Sequence, residues 1–146
     1  KTGSKGMVYG QALDLASEKQ FISIDVLDQM YLFKTAYLLQ ASLMLGAIAS
    51  NQIETLNLWE KLGYHLGIYF QIQDDILEHT SSPEVLGKSK TDDIREKPTY
   101  VSLIGLAESH KTLNYHEHQI EHYIHELNIE HSTINQSINE IKKRKA

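Results

Sequence analysis

The residues best suited to chemistry lie at positions 70–78, whose sequence is FQIQDDILE. Apolar residues recur at helical spacing up to this point, so the segment is predicted to form the last turns of a long helix. On a helix, positions i, i+3, i+4 and i+7 share one face, which groups Gln71, Asp74, Asp75 and Glu78. Neighbouring carboxylates repel one another, so we expect a cation from elsewhere to neutralise them. Oxygen-only ligands favour Mg²⁺ or Ca²⁺ over zinc, although a solvated acidic face explains the same residues.

Three lysines are candidates for binding an anion opposite this cluster. Lys88 and Lys97 lie in a polar stretch after it, and Pro98 biases Lys97 toward an extended backbone. Lys34, followed by Thr35, lies inside an otherwise apolar stretch. Carboxylates, a metal ion and lysines fit together when a polyanion such as a phosphate lies between them. A lysine on an apolar helix also commonly extends to water, and for Lys34 that alternative stays open.

The elements that must position these residues are predicted to be all helical. The sequence has two prolines, and no stretch keeps the alternation of a strand. Gly63 and Gly67 lie one turn apart on the acidic helix and would let another helix approach closely. Residues 79–99 are polar and are predicted to form a long loop of the kind that binds ligands. Helices are predicted at residues 7–16, at 24–49 with Ser23 as N-cap, from about 54 to 78, at 99–128 with a break near His110, and from Ser132.

Composition and charge narrow the class of protein. With 146 residues and 41% hydrophobic content, the chain suits a globular protein. The sequence has no cysteine, which excludes disulfides, thiolate zinc sites and cysteine nucleophiles. The net charge of −5 argues against a nucleic-acid surface, and the basic residues 142–145 are interpreted as a solvated helix end. We recognise no apolar run long enough to cross a bilayer and no signal peptide, so a cytoplasmic location is expected.

Five segments of this sequence resemble a known family. They are GMVYGQALDL at 6–15, KT at 34–35, the acidic segment at 70–78, GK at 87–88 and KPTY at 97–100. In this order and spacing they resemble the C-terminal half of the trans-prenyltransferases, or polyprenyl synthases. Within that family they are most similar to bacterial farnesyl diphosphate synthases, also called geranyltranstransferases. The resemblance covers residues 6–106.

The resemblance implies a fold, a reaction and a cofactor. The fold is the C-terminal portion of an all-α, isoprenoid synthase type helical bundle, over residues 1–146. The reaction is head-to-tail condensation of an allylic diphosphate, dimethylallyl or geranyl, with isopentenyl diphosphate. Farnesyl or a related prenyl diphosphate is the product, and Mg²⁺ held by two aspartate-rich motifs is required. The parent enzymes of the family are usually homodimers.

The resemblance also assigns roles to individual residues. Asp74 would ligate Mg²⁺ directly, while Asp75 and Glu78 would hold its waters or complete its shell. Thr35 and Gln71 would present oxygen atoms near the cationic carbon of the substrate. Diphosphate binding is assigned to Lys34, Lys88 and Lys97, a place lining the same cavity to Gln11 and Asp14, and contact with the prenyl chain to Tyr37 and Phe70, for which a core position is the alternative.

The sequence departs from the family pattern in several places. The acidic motif normally ends in Asp, and the extra methylene of Glu78 shifts its carboxylate by about 1.5 Å. Glu96 and Pro98 stand where the family has Gly and Ser or Thr. The first aspartate-rich motif and the basic residues that bind isopentenyl diphosphate are absent from these residues. We therefore interpret the chain, which begins at Lys1, as a portion of a longer enzyme that is inactive alone and leaves apolar surface exposed.

A second possible metal site is formed by histidines. His118, His122 and His125 fall at i, i+4 and i+7, and three imidazoles on one helix face can bind zinc. The alternative is a polar face opposite Ile120 and Ile124.

Two functions besides a prenyltransferase half remain open from the sequence. One is a noncatalytic accessory subunit that binds a prenyltransferase, which the departures at Glu78, Glu96 and Pro98 would suit. The other is a terpene cyclase, but the Asn/Ser/Glu metal triad expected of a cyclase is not found in place of Gln73-Asp74-Asp75.

Overall fold

The computed structural model describes residues 3–18, 20–81 and 97–144, and all regular structure within them is helical. The predicted all-α class is therefore confirmed. A short 3-10 turn, Ile53–Thr55, precedes the longest helix. The helices are α1 Met7–Ala16, α2 Ile24–Tyr31, a π-helical turn Leu32–Ala36, α3 Tyr37–Ala49, α4 Leu56–Thr80, α5 Tyr100–Ile104, α6 Leu106–Glu126 and α7 Thr133–Lys142.

Local residues set where several helices begin and end. Ser23 caps α2 as predicted, because its hydroxyl oxygen accepts a hydrogen bond from the backbone N–H of Val26 at 3.4 Å. Ser132 caps α7 in the same way through the N–H of Asn135 at 3.1 Å. The break predicted near His110 is misplaced, since α6 runs through that residue. The chain breaks instead at Gly105, whose φ of +82° is one that residues with a Cβ rarely adopt.

The predicted helix Ile24–Ala49 is continuous but contains the π-helical turn. This turn carries Lys34 and Thr35, and α1 crosses it at Gly10. A Cβ on Gly10 would lie 2.3 Å from the backbone nitrogen of Lys34, so the two backbones are in direct contact. A π-helical turn inserts an extra residue and changes the direction of the side chains around it, which residue periodicity does not reveal.

Helix α4 lies at the centre of the described fold, packed between α3 and α6. The close approach predicted at Gly63 and Gly67 is confirmed. A Cβ would lie 2.6 Å from the Cα of Gln40 at Gly63 and 2.4 Å from the Cα of Ala36 at Gly67. One core lies where α2 and the π-helical turn pack with α4 and α5. Its buried residues are Leu27, Met30, Tyr31, Ala36, Ile68, Ile72, Ile76, Tyr100 and Val101. A second core contains Ala47, Trp59, Leu62, Leu66, Tyr69, Ile120, Ile124 and Ile138.

One expectation about membranes is wrong. The helical stretch Ile24–Ala49 is long and apolar enough to cross a bilayer by length and composition, although the sequence analysis recognised no such run. Only 17% of its apolar window is buried in the described fold, although Leu27 and Tyr31 of this stretch lie in the bundle core.

The other side of this stretch is apolar and exposed. Leu45 is 65% exposed and Ile48 49% exposed, and Ile53 follows at 58%. On α1, Val8 and Leu15 are 55% and 65% exposed. The apolar surface expected of a partial fold is thus present on α1 and α3.

Candidate functional site

Asp14 brings two distant lysines together. Its Oδ2 atom lies 3.1 Å from the Nζ of Lys34 and 3.2 Å from the Nζ of Lys97. Glu18, one turn further along the chain, lies 3.7 Å from the same Lys97 ammonium. The Asp14 side chain is only 12% exposed, and the lysines are 26% and 36% exposed. The sequence assigned both lysines to a bound anion, and the structure shows which carboxylate pairs with them here.

Lys97 is positioned by the helix that follows it. The hydroxyl of Thr99 accepts from the N–H of Ser102 at 3.1 Å, and the hydroxyl of Ser102 accepts from the N–H of Thr99 at 2.9 Å. This reciprocal capping fixes the start of α5. Pro98, between Lys97 and the cap, is buried. The backbone that follows Lys97 is therefore held in place by Pro98 and by the capped start of α5.

The cation beside Asp74 comes from the end of the chain. Arg144 Nη2 lies 2.7 Å from Asp74 Oδ1, and its guanidinium lies 4.5 Å from the centre of the Phe70 ring. The side-chain amide of Gln73 donates to the backbone carbonyls of Lys142 and Arg144 at 3.3 and 3.4 Å.

The solvated end predicted for residues 142–145 is therefore wrong for Lys142, whereas Arg144 is exposed as predicted although it pairs with Asp74. Lys142 is 15% exposed and pairs with Glu117 and Glu121 at 2.8 Å each. The contacts join residues far apart in sequence, so charge patterning could not reveal them.

Asp75 points away from Asp74 and into the bundle. Its side chain is buried, and Oδ2 accepts from the hydroxyl of Tyr31 at 2.7 Å and from the N–H of Tyr100 at 2.8 Å. Burial raises the pKa of Asp75 to about 6, although both hydrogen bonds favour its charged form. The acidic residues thus do not form one exposed face, because adjacent residues on a helix point about 100° apart.

Sequence reasoning missed the tyrosines that surround Asp75. The rings of Tyr31 and Tyr100 stack with centroids 6.0 Å apart. The hydroxyl of Tyr100 donates to Asp28, whose pKa is raised by burial. Tyr100 belongs to the KPTY segment singled out in the sequence, so one signal was present, but neither Tyr31 nor Asp28 had one.

The other assigned residues that the structure describes lie on α1, the π-helical turn, α3 and α4. Thr35 is half-buried on the π-helical turn, Gln71 is buried on α4, and Gln11 is exposed on α1. Tyr37 is half-buried, and its ring packs edge to face against the ring of Phe33 with centroids 5.1 Å apart. Lys88 and Glu96, with Gly87, lie outside the described residues.

A second buried polar pair was not predicted. The Nδ1 atoms of His65 on α4 and His116 on α6 lie 3.0 Å apart, within a group of tyrosine rings. Burial lowers the pKa of each to about 4, and for His65 the positive charge of the neighbouring Lys61 contributes to this lowering. Both imidazoles are therefore neutral at pH 7, and one donates to the other.

The donor atoms present decide which metal the site could hold. Among residues 3–18, 20–81 and 97–144, no group of three or more His, Asp or Glu side chains is arranged around a metal position. His118, His122 and His125 are exposed, as the polar-face alternative requires. Asp74 and Glu78 are accessible carboxylates, and this oxygen donor set fits Mg²⁺, which keeps waters and substrate phosphates as its other ligands.

Comparison with known proteins places these features in a family. The family model described as Polyprenyl synthetase matches residues 2–141. Farnesyl diphosphate synthase of Micrococcus luteus is 41% identical over 118 residues, which are 77% of this chain and 40% of that protein. Geranylgeranyl pyrophosphate synthase 7 of Arabidopsis thaliana is 40% identical over 115 residues, or 73% of this chain and 32% of that protein.

A solved structure gives the same result. Geranyltransferase from Helicobacter pylori, complexed with magnesium and isoprenyl diphosphate, superimposes with a TM-score of 0.79 and 28% identity. The match covers 97% of this chain and 48% of that one. The chain thus spans less than half the length of these relatives.

Proposed function

Because this chain belongs to the polyprenyl synthetase family, we propose that it contributes one half of the active site of a prenyl diphosphate synthase of isoprenoid biosynthesis. The proposed reaction is head-to-tail condensation of dimethylallyl or geranyl diphosphate with isopentenyl diphosphate. Relatives of both farnesyl and geranylgeranyl type match the chain. The proposed product is therefore farnesyl diphosphate or a related prenyl diphosphate.

The observation that carries this proposal is the convergence of Lys34 and Lys97 on Asp14. Two ammonium groups lie within 3.2 Å of one carboxylate oxygen, and the Glu18 carboxylate lies 3.7 Å from Lys97, so two lysines and two carboxylates meet here with their charges balanced. Ammonium groups repel one another, so their convergence favours an anion with several charged oxygens. A diphosphate has such oxygens and can accept from both lysines at once.

Each residue has a proposed role in the condensation. Lys34 and Lys97 would donate hydrogen bonds to the allylic diphosphate and favour charge developing on it. Asp74, with Glu78, would hold Mg²⁺, which supplies Lewis-acid stabilisation to the departing diphosphate when bound. Thr35 would direct its hydroxyl oxygen toward the electron-poor carbon.

The chain is proposed to need further helices for activity. A first aspartate-rich motif and an isopentenyl diphosphate site would come from them. The exposed apolar residues of α1 and α3, Val8, Leu15, Leu45 and Ile48, offer a surface on which such helices could pack.

A chimera tests the proposal. The part of the Micrococcus luteus enzyme that precedes its matched segment would be joined to this chain. We expect the chimera to condense geranyl with isopentenyl diphosphate in Mg²⁺ and the chain alone to be inactive. Asp74→Asn in the chimera should reduce kcat/KM by at least about 100-fold, typical of losing a metal ligand. Glu140→Gln, at an exposed ion pair, is the matched control and should have no effect.

Other outcomes would reject the prenyltransferase assignment. A folded chimera that binds no geranyl diphosphate by calorimetry, with Mg²⁺ in excess, would show that the acidic and basic residues form no diphosphate site. Capture of a catalytic prenyltransferase by the chain, without condensation by the chimera, would favour the accessory-subunit alternative. Conversion of geranyl diphosphate to a cyclic hydrocarbon would favour the cyclase.

A further inference from the structure

Asp75 belongs to the acidic motif by sequence but makes different contacts from Asp74. Asp74 lies at the surface against Arg144, whereas Asp75 is 8% exposed. Both described hydrogen bonds of Asp75 converge on Oδ2, one from the hydroxyl of Tyr31 and one from the N–H of Tyr100. A carboxylate in this position joins three elements of the fold, namely α2, α4 and α5.

The two hydrogen-bond donors stand in a fixed relation to the lysines of the candidate site. Tyr31 is three residues before Lys34, and the helical path runs unbroken from one to the other. Tyr100 is three residues after Lys97, beyond Pro98 and the Thr99 cap. Asp75 therefore holds one residue near each lysine, and Asp14 pairs with the ammonium groups themselves.

We propose that Asp75 is a positioning residue for the diphosphate-binding lysines, acting through Tyr31 and Tyr100, and that it takes no part in metal binding. The inference rests on the proposed function, since it concerns the same site. It assigns Asp75 a role other than the sequence-based one of holding the metal's waters.

The contacts around Tyr100 support this role. Its ring stacks on Tyr31, and its hydroxyl donates to Asp28 on α2. Asp75 accepts a hydrogen bond from the backbone N–H of Tyr100, the first residue of α5. At the start of a helix such an N–H has no carbonyl partner one turn earlier. Without Asp75 this N–H would be buried and unsatisfied, and the start of α5, with Lys97 before it, would lose this hydrogen bond to α4.

The comparison of two amide substitutions separates positioning from metal binding. An amide oxygen accepts the same two hydrogen bonds as the carboxylate but is a poor Mg²⁺ ligand. In the chimera, Asp75→Asn should change the half-saturating Mg²⁺ concentration by less than about threefold, since the two bonds remain. Asp74→Asn should raise it about tenfold or more. A rise with Asp75→Asn as large as that with Asp74→Asn would overturn the inference.

Removal of one hydrogen-bond donor tests the link to the lysines. Tyr31→Phe leaves Asp74, Asp75 and both lysines in place. It should raise KM for geranyl diphosphate about three- to tenfold, the loss expected for one buried hydrogen bond, without changing the Mg²⁺ dependence. An unchanged KM, with only a lower melting temperature, would mean that the contact is purely structural and would overturn the inference.

Hydrogen exchange on the chain itself keeps the two proposals distinguishable. The Tyr100 amide should be protected in the parent and in Asp75→Asn, and should exchange at least about tenfold faster in Asp75→Ala. This result does not depend on catalysis, so an inactive chimera would reject the proposed function alone. Equal exchange in the parent and in Asp75→Ala would reject the positioning role of Asp75.

Discussion

Gly10→Ala is the substitution that most directly tests the contact between α1 and the lysine-bearing π-helical turn. The new Cβ would lie 2.3 Å from the nitrogen and 2.6 Å from the Cα of Lys34, and 2.7 Å from the carbonyl carbon of Phe33. These are backbone atoms, which cannot rotate away as a side chain can. Helix α1 must therefore move away from the turn, and Asp14, one helical turn further along α1, moves with it.

Two opposing effects set the size of the change. Alanine is favoured over glycine inside a helix by about 1 kcal/mol, while overpacking costs about 1–3 kcal/mol and more where backbone must move. We expect the free energy of unfolding to fall by about 2 kcal/mol, since three backbone atoms are overlapped. Gly46→Ala on α3 is the matched control, because its Cβ would meet nothing within 4 Å. This control should stabilise the chain by about 0.5–1 kcal/mol.

Urea unfolding followed by far-UV circular dichroism gives the free energy of unfolding of both variants, and thermal unfolding gives their melting temperatures. At about 2–4 °C per kcal/mol for a chain of this size, their melting temperatures should differ by roughly 10 °C. Gly10→Ala should also weaken geranyl diphosphate binding in the chimera, since the pairing of Asp14 with Lys34 is displaced. Equal stability of the two variants would refute the direct backbone contact.

Two further perturbations have expected outcomes. Arg144→Ala removes an exposed ion pair with Asp74 worth up to about 1 kcal/mol, so Mg²⁺ should bind at Asp74 up to about fivefold more tightly by calorimetry. Lys143→Ala, which removes a surface pair only, should not change that affinity, and equal effects of both would contradict the competition. His65 and His116 have pKa values of about 4 in the fold against about 6.5 unfolded, so the unfolded chain binds more protons between these values. Their contribution to the free energy of unfolding is complete above pH 6.5 and decreases as the pH falls toward 4, by a few kcal/mol for the pair. The free energy of unfolding in urea should therefore depend less on pH for His116→Gln than for the parent. An equal pH dependence would contradict the lowered histidine pKa values.

The sequence alone determined the all-α class and the family, but neither the π-helical turn nor the break at Gly105. Apolar periodicity gave the all-α class, and the hydroxyl of Ser23 at the start of an apolar run gave the cap of α2, since both signals lie within a few residues of one another. Gly63 and Gly67 marked a close helix contact because a missing side chain is visible in the sequence. The five segments at 6–15, 34–35, 70–78, 87–88 and 97–100 predicted the family to which the chain belongs.

Only the tertiary structure decided how the charged residues pair. Asp14 could be assigned to the cavity, but not to Lys34 and Lys97 in particular. Asp74 and Asp75 are neighbours in sequence, yet one binds Arg144 at the surface and the other lies buried beneath two tyrosines. The physical reason is that helix periodicity fixes a side chain's direction about its own axis only. Its partner depends on which remote elements pack against that face, and this is set by the fold as a whole.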